Sequence, residues 1–130
     1  MTQGLHENQI SRIIYDCGLL VHKELGPGLL ESAYEECLFY ELSKTGLLIE
    51  RQKMMPLKYQ DITLDVSYRI DILIDHKVVI EVKACEELSN IHLAQVITYL
   101  KLSGCKLGML INFNSFLFKD GVRRVINGQL

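Results

Sequence analysis

No run of about 18 apolar residues occurs in the chain, so none of its segments is expected to span a membrane. The polar stretch 1–8 lacks the apolar core of a secretory signal. The four cysteines, Cys17, Cys37, Cys85 and Cys105, are scattered, and no Cys-x-x-Cys pair exists. That argues against a zinc site and for buried free thiols in a reducing cytoplasm. No repeat, low-complexity stretch or linker appears. A Gly-rich phosphate loop and a nucleophile–base arrangement are missing too, which disfavours a small-molecule enzyme. Nor does one sign of charge prevail: 14 basic against 16 acidic residues give a net charge of −2. This balance excludes a protein that grips nucleic acid by bulk positive charge alone. It leaves room for a local basic patch or for a metal that supplies the positive charge.

What is present reads as one globular domain over residues 1–130. With 48% hydrophobic and 23% charged residues, the chain can bury a core without disulfide or metal staples. Ile10, Ile13, Ile14, Cys17 and Val21 recur at helical spacing and predict a helix over 9–25, with Asn8 as its cap. Gly26-Pro27-Gly28 breaks the chain. A second helix follows, with Leu30, Ala33, Tyr34, Cys37, Leu38 and Leu42 on one face and Gly46 at its end. The period then changes. Strands are expected at 48–53, 55–59, 62–67, 68–74 and 77–84, with turns at Gln60-Asp61 and Asp75-His76. Residues 70–74 and 78–84 are apolar on both faces, which suggests central strands covered on both sides. A third helix, about 90–102, starts at Ser89 or Asn90, ends at Gly104 and carries Leu93, Val96, Ile97 and Leu100 as its stripe. Residues 106–113 form another strand, 116–118 a short one, and 122–126 a final helix or strand. The natural packing is α/β, a mixed central sheet flanked by helices in the order ααβββαβ.

Charges interrupt this apolar pattern in the strand Val78-Val79-Ile80-Glu81-Val82-Lys83-Ala84. Glu81 and Lys83 share a face by the strand period, and charges inside a central strand are costly unless paired or bound to metal. A Glu–Lys ion pair is one solution. Asp71, in the neighbouring apolar segment, offers another. A three-residue loop centred on His76 pairs position 71 with 81 and puts both carboxylates on one face. A two-residue loop pairs 71 with 80 and separates them unless a bulge intervenes. Two carboxylates held together repel, and a hard cation such as Mg²⁺ or Mn²⁺ relieves the repulsion.

On the third helix His92, Gln95 and Tyr99 share a face, either as a solvated surface or as part of a site. Glu31 begins the second helix, where its dipole favours an acid; Tyr34 lies one turn on, and Glu35 and Glu36 read as surface charge.

These residues together resemble a known family. Gly28-Leu29-Leu30-Glu31-Ser32-Ala33-Tyr34 matches the GxxExxY signature, and Val21-His22-Lys23-Glu24-Leu25-Gly26-Pro27 and Leu110-Ile111-Asn112-Phe113 also resemble GxxExxY proteins. That family is assigned to the PD-(D/E)XK nuclease-like superfamily. Asp71 with Glu81-Val82-Lys83 matches its D…(D/E)xK core, and Gln95 to Tyr99 matches its QxxxY motif. Position 70 is Ile where the superfamily name has Pro, which is not a ligand. The resemblance covers about residues 9–126. It implies a restriction-endonuclease-like core and a nuclease acting on DNA or RNA. Asp71, Glu81, the Val82 carbonyl and Glu31 would hold Mg²⁺ or Mn²⁺. Lys83 would orient or deprotonate water or stabilise charge, Gln95 would hold the water or the lysine, and Tyr99 would position a phosphate. Arg51, Lys53, Arg69, Lys101, Arg123 and Arg124 are candidates for a basic rim. Weak affinity for nucleic acid alone suggests a protein partner or a homo-oligomer. The rival reading is an inactive nucleic-acid- or protein-binding module of the same fold.

Overall fold

The computed structural model describes residues 4–130, so the first three residues of the polar N-terminal stretch lie outside the described part. Helices α1 (Glu7–Leu25) and α2 (Glu31–Ser43) precede strands β1 (Ile49–Tyr59), β2 (Ile62–Ile74) and β3 (Val78–Lys83). Helix α3 (Asn90–Ser103), strand β4 (Leu107–Asn112), a 3₁₀ turn (Phe118–Gly121) and strand β5 (Val122–Ile126) complete the order. The five strands lie in sequence order, antiparallel except for the parallel pair β3–β4 that α3 connects. This is the expected ααβββαβ arrangement with β5 added at one edge.

The core has two parts. Ile10, Ile14, Cys17 and Val21 of α1 and Leu38 and Leu42 of α2 pack with Ile72, Ile74, Ile80 and Val82. Val96 and Leu100 of α3 pack with Tyr68, Ile70, Leu73 and Val79. Gly108 on β4 admits this helix closely, since an added Cβ would lie 2.5 Å from Val96 Cγ1.

Several local expectations are corrected. The cap of α1 is His6, whose Nδ1 accepts from the Asn8 N–H (3.0 Å) while Gln9 Oε1 accepts from the His6 N–H (2.8 Å). On α2, Leu30 is the exposed N-cap and Glu35 takes a buried place beside Tyr34. The helix ends at Ser43, and Gly46 serves the turn beyond it. On α3, Ile97 points outward. The strands expected at 48–53 and 55–59, and at 62–67 and 68–74, are two long continuous ones, because antiparallel pairing holds them from Ile49↔Ile74 to Tyr59↔Ile62, with a gap at Gln52 and Asp71 and an irregularity at Pro56–Lys58. Residues 116–118 make no strand; Phe118 opens the 3₁₀ turn, and 122–126 is a strand. Among the described residues all cysteines are free, with Cys17 and Cys105 buried but Cys37 and Cys85 only half-buried. No described helix is long and apolar enough to cross a membrane.

Candidate active site

The hairpin β2–β3 decides the register left open by the sequence. Ile74 pairs with Val78 and Ile72 with Ile80, leaving Asp75, His76 and Lys77 as a three-residue loop. Asp75 (φ 51°) and His76 (φ 56°) take the left-handed backbone this tight turn needs. Extending that register sets Asp71 opposite Glu81.

Beyond Ile72↔Ile80 the regular ladder stops and the two carboxylates fill the fork. The Asp71 N–H donates to Glu81 Oε2 at 2.9 Å, and the Val82 N–H donates to Asp71 Oδ2 at 2.9 Å. Each acid thus satisfies a backbone donor near the other, in place of the missing ladder bonds. Asp71 is 8% exposed and Glu81 3%. The alternative Glu81–Lys83 ion pair does not form among the described residues.

Burial, with no ion pair to either acid among the described residues and only the more distant charge of Lys83 to oppose it, makes ionisation difficult. Loss of hydration raises the Asp71 carboxyl to about 6, helped by the charge of Glu35. Loss of hydration, then the charge of Asp71, raises Glu81 to about 8.

A cleft of about 310 Å³ opens over the pair, lined by Glu31, Met54, Arg69, Asp71, Glu81, Lys83, Gln95 and Tyr99. Lys83 reaches it from the end of β3, and Gln95 and Tyr99 reach it from α3. The Tyr99 ring stacks on Tyr68 at 5.0 Å between centroids. Burial and the charges of Glu81 and Asp71 raise the Tyr99 phenol above its ordinary range. Glu31, exposed at the start of α2, lines the same cleft. His92 leaves the expected face: its Nδ1 accepts from the Ser89 N–H at 3.1 Å and closes the cap of α3.

The turn that precedes Glu31 is tied down from behind. The Tyr34 hydroxyl donates to the Gly26 carbonyl (2.5 Å) and accepts from the Leu29 N–H (3.0 Å). Its ring stacks on Phe113 at 4.8 Å. The Gly28 N–H donates to Asn114 Oδ1 at 2.9 Å. Asn112 grips the chain after Lys83, accepting from the Cys85 N–H (3.1 Å) and donating to the Cys85 carbonyl (2.9 Å). The break Gly26-Pro27-Gly28, α2 and the end of β3 are therefore joined around the cleft.

Sequence reasoning missed the place of Glu35 near Asp71. Glu35 is buried rather than surface charge, and Gln52 and Arg51 both bond to it. The spacing of Glu35, four residues after Glu31, was the available signal. Asn112, one of the residues that carry the family resemblance, is buried at the end of β4. Of the six candidate rim cations, Arg51 and Arg69 line this cleft or the one adjoining it. Lys53 pairs with Glu50 at 2.7 Å, while Arg124 lines a separate groove beside α1.

The model of the PD-(D/E)XK nuclease superfamily matches residues 8–125. The chain belongs to this superfamily. Its mixed five-stranded sheet with three helices agrees with the restriction-endonuclease-like fold. No curated protein and no solved structure matches the chain.

Superfamily nucleases generally use divalent metals, and the donors here fit one. Among the described residues no three His, Cys, Asp or Glu side chains converge on one point. Magnesium does not require that, because one or two carboxylates suffice when water and substrate phosphate complete its shell. Two buried carboxylates with no ion-pair partner among the described residues supply hard oxygen donors, and a cation would remove the cost of ionising both.

Proposed function

We propose that this chain is a metal-dependent phosphodiester hydrolase of the GxxExxY type that cleaves DNA or RNA. The observation that carries the reading is the crossed, buried Asp71–Glu81 pair opening into a cleft shared with Lys83, Gln95 and Tyr99. Asp71 and Glu81, with the Val82 carbonyl, would hold Mg²⁺ or Mn²⁺, and Glu31 would add a carboxylate from the far wall. When bound, the ion supplies Lewis-acid stabilisation of charge on the phosphoryl group.

The rest of the chemistry falls to the chain. The Lys83 ammonium orients the attacking water and neutralises charge developing on the phosphoryl oxygens. Gln95 fixes that water or the lysine by hydrogen bonding. The Tyr99 hydroxyl, stiffened by its stack on Tyr68, positions a phosphate. Arg69 at the cleft edge offers a cationic contact to the strand. The small net charge makes affinity for nucleic acid weak without metal, so a protein partner or a second copy would strengthen it. The free thiols suit a reducing cytoplasm.

The test is a cleavage assay with Mn²⁺ on linear, nicked and single-stranded DNA and on RNA, comparing the natural chain with Lys83→Ala. Activity should appear with at least one substrate and fall by about 100-fold or more in the variant. Equal cleavage by both would sink the mechanism. No cleavage and no Mn²⁺ binding would favour the inactive binding module.

A further inference from the structure

Asp71 stands in a central strand, yet the described pairings leave it without a ladder partner on either side. Toward β3 the pairing stops at Ile72↔Ile80. Toward β1 it runs through Arg51↔Ile72 and resumes at Lys53↔Ile70 in the same register, omitting Gln52 and Asp71. The cause on the β1 side is visible in the backbone. Gln52 has φ 54°, a left-handed conformation in mid-strand. The other non-glycine residues with positive φ, Gln60, Asp75 and His76, all occupy turns, where such backbone is ordinary.

A glutamine in this conformation is strained and persists only when its surroundings impose it. Glu35 does so. The Gln52 side-chain amide donates to the Glu35 carboxylate at 2.7 Å, and Arg51 Nε donates to the same carboxylate at 2.7 Å. Glu35 is 6% exposed and fixed on α2, so these bonds are charge-assisted and anchored to a helix rather than to a loop. The same place marks a change of face along β2. Tyr68 and Ile70 pack with α3, whereas Ile72 and Ile74 pack with α1 and α2. A strand of strict period two would keep all four on one side.

We infer that Gln52 is a positioning residue: its left-handed backbone, tied down through Glu35, opens the β1 ladder at Asp71 so that Asp71 and Glu81 cross in the fork. An extended residue at position 52 would pair with Asp71 and draw it back toward β1, away from the Val82 N–H. The value of this device for catalysis rests on the reading of Asp71 and Glu81 as metal ligands. The device itself does not require the metal.

The experiment is amide hydrogen exchange followed by NMR on the metal-free full chain, reading Val82 against Val79 as an internal reference. Gln52→Val, whose branched side chain disfavours positive φ, should speed exchange at Val82 relative to Val79 by about tenfold or more. Gln52→Gly loses the Glu35 bonds but also the strain that those bonds offset in glutamine, so it keeps the left-handed backbone and should stay within about threefold of the natural chain. If Gln52→Val does not fold, Gln52→Ala takes its place, and Val82 should exchange faster in it than in Gln52→Gly. Equal protection of Val82 in the branched or alanine variant and the natural chain would overturn the inference. Equal loss in the glycine variant would overturn it too, because the backbone conformation would then not be the agent. Mn²⁺ titration of the same samples separates the two readings. A natural chain that binds no Mn²⁺ defeats the proposed function and leaves the exchange result standing.

Discussion

Removing the charge from Glu81 should stabilise the metal-free protein at alkaline pH. In the unfolded chain this carboxyl titrates near its ordinary 4.5, and in the fold it titrates near 8. Below both values the acid is protonated in either state and costs nothing. Between them the unfolded chain releases its proton while the fold keeps it, so stability falls as pH rises. Above about 8 the whole cost is present. At about 1.4 kcal/mol for each pH unit separating the two values, that cost is on the order of 3–5 kcal/mol, a large part of a typical domain's stability. Asp71 acts in the same direction between 3.8 and about 6. Glu81→Gln keeps an oxygen to accept from the Asp71 N–H and removes the charge. Its melting temperature in EDTA should match the natural chain near pH 4.5 and exceed it by on the order of 10 °C at pH 9. The assay is thermal unfolding followed by circular dichroism across that range. Parallel pH profiles for the two proteins would refute the argument that a buried carboxylate pair without an ion-pair partner sits in the fork.

Metal should reverse the same cost. Mg²⁺ or Mn²⁺ at 100 times its dissociation constant should stabilise the natural chain by about 2.7 kcal/mol, read by calorimetric melting, and should leave Asp71→Asn unmoved. Tyr34→Phe deletes a hydroxyl that bonds Gly26 and Leu29, and urea unfolding should show a loss of about 1–3 kcal/mol. Gly108→Ala drives a methyl into Val96 and should cost about 1–3 kcal/mol in the same measurement, with α3 displaced from β4.

Much of the molecule was legible because apolar period and chain breakers act locally. The stripe Ile10, Ile14, Cys17, Val21 is the buried face of α1, and Gly104 ends α3 in a left-handed cap as its position suggested. Asp71, Glu81 and Lys83 stood out because charge inside an apolar strand needs a reason. Helical spacing put Gln95 and Tyr99 on one face of α3, and their resemblance to the QxxxY motif suggested a place in the site. His92 has the same spacing but caps its own helix, a local bond that periodicity does not register. Glu35 escaped because a buried acid and a surface acid look alike in sequence until the arginine that neutralises it and the glutamine that bonds it are located.

The sequence by itself determined the three helices, the order of the elements and which segments carry charged residues inside apolar strands, since those depend on neighbours within a few positions. Whether Asp71 and Glu81 meet depended on one loop length, because a shift of a single residue turns every side chain to the other face. Only the tertiary structure chose the three-residue loop and the kink at Gln52. It also decided the change of face between Ile70 and Ile72. Strand pairing and helix anchoring act between residues far apart in the chain, as where Glu35 on α2 bonds Gln52 on β1.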